Sequence, residues 1–150
     1  DQRSRATRGQ PRETAQLALL EQIEQHVASL DELRDRLVQR PLTFIERSAT
    51  ERSLQIVIEA AIGASKHTLR AHGRPIPTEA RTAIERVYEV TGLTTPALDE
   101  MRGAVGMRNA IVHDYLNLDW ALLERVLTEG RYRRVQQFVR TLVEGLLERR

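Results

Sequence analysis

Leu54-Gln55-Ile56-Val57-Ile58-Glu59-Ala60-Ala61-Ile62-Gly63-Ala64 is the stretch on which the fold turns. Wound at 3.6 residues per turn, its apolar side chains point to nearly every side, and a helix with that distribution has to be surrounded by others. Thr43, with Glu46 three positions on, forms a capping box at its start. His72-Gly73, followed by Pro75 and Pro77, stops it. This second helix is expected to be the core of the domain.

Upstream, Leu17, Leu20, Ile23, Val27, Leu30, Leu33 and Leu37 recur every three or four residues, one apolar stripe on a long first helix that Pro41 ends. Residues 1–12 lack periodicity and contain Gly9 and Pro11, which predicts a flexible tail ahead of a single helical domain over 13–150. Downstream, Ile84, Val87 and Tyr88 mark a third helix closed by Gly92. Thr95 as N-cap, Pro96 in the first turn, and Asp99 with Glu100 near the positive end predict the start of a fourth. Trp120 to Leu127 reads as a short fifth helix, and Val135, Phe138, Val139, Leu142 and Leu146 as a sixth after Gly130. With no alternating strand pattern and no internal repeat, the expected class is all-α, an up-and-down bundle of five to six helices.

A hydrophobic content of 41% over 150 residues suffices to bury one core rather than two. The absence of cysteine removes disulfides, thiolate metal sites and thiol nucleophiles together, and fits a reducing interior. No apolar run approaches the ~20 residues of a membrane span, and no signal-peptide pattern precedes the first charges, so a soluble cytoplasmic protein is expected. A net charge of +2 is too small to argue for nucleic acid. Of the 23 basic side chains all but Lys66 are arginine, whose planar fork suits phosphate, although a compositional bias produces the same count. Arg3, Arg5, Arg8 and Arg12, and later Arg131, Arg133 and Arg134, form runs that ordinarily mean a solvated face.

The fourth helix carries Met107-Arg108-Asn109-Ala110-Ile111-Val112-His113-Asp114-Tyr115, which sets a guanidinium, an amide, an imidazole and a phenol into an apolar pattern. Met101, Val105, Arg108, Val112 and Tyr115 fall on one stripe, so Arg108 and Tyr115 interrupt a packing face. A guanidinium in a dry core is penalised by several kcal/mol unless something anionic or polar meets it. Asn109 and His113 are neighbours on the next face, where the amide can orient the ring, and Gly103 and Gly106 remove bulk where a substrate or a second backbone can approach. Arg108 and His113, five residues apart, diverge by about 140° on a straight helix. Either the helix ends or bends near His113, or two chains join their motifs across a two-fold axis; the homodimer is preferred. His26, His67 and His72 lack such company and read as surface or helix-end residues. No carboxylate pair, metal-ligand cluster, Ser-His-Asp set or phosphate-cradling glycine loop occurs, so neither a metal nor a cofactor is expected.

The order Arg108-Asn109, then His113, then Tyr115 resembles the signature of the HEPN superfamily of all-helical ribonucleases, and within it the HepT toxin branch. Glu51-Arg52-Ser53-Leu54-Gln55 followed by Glu59-Ala60-Ala61 is similar to that family's second helix, Thr91-Gly92-Leu93 to its turn before the motif, and Leu118-Asp119-Trp120 to the segment after it. The likeness extends over roughly residues 15–148. Met107 departs from it, since an aromatic residue commonly precedes the Arg-Asn pair. The resemblance implies a metal-independent endoribonuclease toxin acting on RNA, with Arg108, Asn109 and His113 as the catalytic set. It further implies an MntA-like minimal nucleotidyltransferase antitoxin that silences the toxin by transferring AMP to Tyr115. A helical binding module that docks a nucleotidyltransferase without cleaving RNA is the alternative left open.

Overall fold

A computed structural model describes residues 2–149, with side chains from residue 13 onward. The described residues form six α-helices and no strand: α1 (Gln2–Gln39), α2 (Phe44–Ala71), α3 (Ala80–Thr91), α4 (Leu98–His113), α5 (Trp120–Thr128) and α6 (Tyr132–Glu148), with a 3-10 turn over Tyr115–Asn117. The tail expected over residues 1–12, with its four arginines, lies outside the residues described with side chains. No helix among those described is long and apolar enough to cross a membrane.

α2 is the axis of the bundle. It packs against α1, α3, α4 and α6, while α5 lies on α1 and α4 is seated against α2 and α3. Val57, Ala61, Ala64 and Leu69 are wholly enclosed, as the all-round apolar pattern requires. One edge stays polar, because Glu51 and Gln55 are only half-buried and Glu59 is exposed. Four-residue spacing puts Arg47, Glu51, Gln55 and Glu59 on one line along that edge.

The capping box forms as its residue types dictate. Thr43 Oγ1 accepts from the Glu46 N–H at 3.2 Å, and the Glu46 carboxylate accepts from the Thr43 N–H at 2.9 Å. The same carboxylate accepts from Arg40 at 2.7 Å and from Arg36 at 2.9 Å, which ties the last turn of α1 to the first turn of α2. Farther along the same helix pair, His26 Nδ1 lies 3.0 Å from Ser53 Oγ. This histidine, expected on the surface, is half-buried between α1 and α2, and burial followed by the nearby Arg52 lowers its pKa. His67 is exposed and His72 caps the end of α2, as expected.

In the α1 stripe, Ile23, Val27, Leu30 and Leu33 are buried, but Leu17 is exposed. α6 closes the bundle with Val135, Phe138, Val139 and Leu142, joined by Tyr132, whose hydroxyl donates to Asp31 on α1 at 2.6 Å. The arginines after Gly130 are exposed yet tethered. Arg131 pairs with Glu129, Arg133 with Asp31 at 3.0 Å, and Arg134 with Glu100 at 3.0 Å.

Gly92 caps α3 in the left-handed region, at φ 71°, where a residue without Cβ is favoured. The start of α4 differs from its expected form. Ala97, not Thr95, occupies the N-cap position, no side chain caps it, and Pro96 lies outside the helix. The segment is held instead by α3, because the Tyr88 hydroxyl donates to the Pro96 carbonyl at 2.6 Å. Asp99 and Glu100 do fall in the first turn, and Arg102 links Asp99, at 2.8 Å, to Glu85 of α3, at 3.1 Å.

Candidate active site

α4 buries Met101, Val105, Met107 and Ile111. Arg108 stands at the border of this face, its side chain only 16% exposed, with Nε 3.7 Å from a carboxylate oxygen of Glu59 on α2. That distance makes an ion pair but not a hydrogen bond. Nε is sealed from solvent without a hydrogen-bond partner, whereas neither Nη is among the buried unpartnered atoms and neither donates to a described residue. The guanidinium therefore has one covered edge and one open edge. The anionic group that a half-buried arginine demands is Glu59, a pairing set by the register of α2 against α4 rather than by residue spacing.

The helix remains regular to His113 and ends there, with Asp114 as C-cap at φ −133° and its N–H bonded to the Ala110 carbonyl at 3.1 Å. The divergence of about 140° between Arg108 and His113 is consequently retained. Arg108 turns toward α2, while His113 and Asn109 are exposed. No hydrogen bond joins Asn109 to His113 among the described residues, so the amide does not orient the ring within one chain. Gly103 and Gly106 share this open side, and a Cβ built on either would meet nothing within 4 Å.

Tyr115 and Val112 correct the expected stripe. Ile111 takes the packing position that Val112 was assigned, and the chain leaves helical geometry at Asp114 before Tyr115 is reached. Tyr115 opens the 3-10 turn, with Asp114 accepting from the Asn117 amide at 2.9 Å. An angular offset of Tyr115 from Arg108 reckoned on a continuous helix thus does not apply. Tyr115 is 54% exposed, next to Leu116, which is 94% exposed. Asp119 then caps α5 through the Ala121 N–H at 3.0 Å. Trp120 begins that helix with the Arg47 guanidinium 4.9 Å over its ring, so the α2 edge reaches both sides of the motif.

Glu51, on the same edge, has its pKa raised by partial burial, opposed by Arg47. No three His, Asp or Glu side chains among the described residues gather as a metal-ligand group.

A family model described as Ribonuclease HepT-like matches residues 17–142, which include the whole motif and all of α2 to α5. The chain belongs to this family. The HepT-like chain is 36% identical over 69 residues to the mRNA nuclease HepT of Shewanella oneidensis, an alignment covering 45% of this chain and 52% of that protein. It therefore spans about half the length of that curated relative. Two solved structures share the fold. One is the tri-AMPylated Shewanella oneidensis HEPN toxin in complex with MNT antitoxin, at 22% identity and TM-score 0.75, covering 87% of this chain and 96% of that one. The other is a toxin-antitoxin crystal structure with AMP-PNP, at 21% identity and TM-score 0.72, covering 85% and 96%.

Proposed function

We propose that this HepT-like chain is a metal-independent endoribonuclease toxin that acts as a homodimer. Arg108, Asn109 and His113 form its catalytic set, and Tyr115 accepts AMP from an MntA-like nucleotidyltransferase antitoxin. The observation that carries this is the pair of groups on α4 of a ribonuclease-family member: a guanidinium seated against α2 with its terminal edge open, and an imidazole bare at the helix end.

Cleavage of RNA without a metal needs a base for the 2′-hydroxyl proton, an acid for the departing 5′-oxygen and a fixed cation for the charge that accumulates on phosphorus. The 2′-oxygen forms a bond to the adjacent phosphorus as the P–O5′ bond breaks, leaving a 2′,3′-cyclic phosphate and a 5′-hydroxyl. Imidazole is the side chain that exchanges protons near neutral pH. Two His113 rings, one from each protomer, divide the base and acid roles, and Arg108 supplies the permanent charge. The single-chain divergence of Arg108 and His113 supports a cleft built from two copies of α4. Asn109, exposed beside His113, serves as a donor to the phosphate or to a ring across the interface.

The test is direct. The purified chain, in excess chelator, is expected to cut RNA to products with cyclic phosphate ends, and its expression without a partner is expected to arrest bacterial growth. An intact chain that neither cuts RNA nor arrests growth, but binds a nucleotidyltransferase, would instead be a docking module.

A further inference from the structure

We infer that Glu59 is a positioning residue for Arg108, holding the Nε edge of the guanidinium against α2 so that the two Nη groups face the cleft. The inference rests on the ribonuclease function proposed above. Glu59 is exposed in an otherwise buried run, with Val57, Ile58, Ala60, Ala61 and Ile62 all in the core. Its carboxylate oxygen lies 3.7 Å from Arg108 Nε, the atom that is sealed and has no hydrogen-bond partner.

The choice of edge separates two roles. A carboxylate on the Nη fork would occupy an edge that a phosphate can grip with two parallel bonds. Glu59 meets the other edge and leaves the fork open. An arginine side chain carries large rotamer freedom, so fixing one edge reduces what substrate binding or the transition state has to order. The opposing effect, a negative charge near an anionic substrate, is moderated because the Glu59 side chain is 45% exposed and water screens it.

Two measurements on the purified full chain test this. In steady-state cleavage of a short RNA, Glu59→Gln is expected to lower kcat about tenfold, with KM within about twofold and an unchanged melting temperature. In NMR of ¹⁵N-arginine-labelled protein, with the Arg108 Nε–Hε signal assigned by its loss in Arg108→Lys, that signal is expected to be ordered in the wild type and mobile in Glu59→Gln. An unchanged kcat, or a lower KM with faster cleavage as expected of a competing carboxylate, overturns the inference. An Nε–Hε signal that stays equally ordered in Glu59→Gln does so as well. If the wild-type chain does not cut RNA, the proposed function fails, and the NMR comparison still decides whether Glu59 anchors Arg108.

Discussion

Arg108 and His113 leave one unbroken helix in directions about 140° apart, the first toward Glu59 on α2 and the second into solvent. A single chain thus presents a cation and a proton carrier to different spaces, and the proposed homodimer would supply the missing group from a second copy of α4. Light scattering at micromolar concentration is expected to give about twice the 17.2 kDa chain mass. Gly106, open on the same side, is the position to disturb. Gly106→Gln is expected to leave the helical content unchanged, since glycine costs about 1 kcal/mol in a helix interior and its replacement favours the helix. It is also expected to produce monomer with little activity. A monomeric wild type that cuts RNA at full rate would sink the composite site.

Removing either group is expected to stop cleavage while sparing the fold. Arg108→Ala takes away transition-state charge, and His113→Ala the proton transfers, each with a loss on the order of 10²-fold or more. His113 is exposed, so its replacement leaves packing intact and the melting temperature should hold. Mixing the two inactive proteins provides a sharper check. Because the proposed cleft uses both His113 rings, the mixed dimer, with one ring and one guanidinium, is expected to stay inactive, and recovery of activity would overturn the division of base and acid roles between two rings.

Glu46 links the fold to pH. Its hydrogen bonds from Arg40, the Thr43 N–H and Arg36 hold its carboxyl far below the ordinary carboxylate range. An unfolded chain binds a proton there near pH ~4.3, whereas the folded chain resists until much lower pH. The stabilisation is therefore fully present above the unfolded value and is lost as pH falls toward the folded one. Melting temperatures measured from pH 7 down to 2 are expected to drop less steeply in Glu46→Gln than in the wild type. Thr43→Ala, which removes only the cap acceptor, should cost about 1 kcal/mol at neutral pH.

Tyr88 makes the opposite case. Burial, and then the charge of Glu100, push its hydroxyl up to about 12, so the fold favours the neutral phenol. That contribution is complete below the usual tyrosine value of ~10 and is lost as pH rises through the folded one. Tyr88→Phe is expected to cost about 1 kcal/mol at pH 7 through the lost bond to the Pro96 carbonyl. Its stability should then decline less between pH 10 and 12 than the wild type does. Tyr132, also raised by burial, accounts for part of the remaining decline.

What was legible in the sequence follows from the range of the interactions. The Thr43–Glu46 box and the Gly92 cap are local, and residue type with spacing determines both. The α4 start was misplaced because the bond that holds Pro96 comes from Tyr88, on another helix. Arg108 was legible as a cation needing a partner, but Glu59 was not identifiable as that partner, since pairing across helices depends on their register. Tyr115 failed for another reason: periodicity extends a stripe past the point where Asp114 leaves helical geometry.

That departure decides where Tyr115 stands relative to the proposed cleft, and so how a group added to it would control activity. The tyrosine does not lie over Arg108 on a continuous helix; it begins a 3-10 turn, half-exposed beside the more exposed Leu116. The residue is exposed rather than stacked into the bundle, as the proposed role of AMP acceptor requires. The turn follows His113 after a single residue, so a nucleotide added there would bring negative phosphate to the mouth of the proposed cleft and compete with RNA. After co-expression with a cognate nucleotidyltransferase, intact-mass spectrometry is expected to show increments of one or more AMP groups on the peptide containing Tyr115, together with loss of RNA cleavage. Tyr115→Phe should keep the wild-type melting temperature and much of the cleavage activity, yet escape silencing. Neutralisation without a mass change, equally effective on Tyr115→Phe, would mean that the partner acts by covering the cleft and that Tyr115 is not the switch.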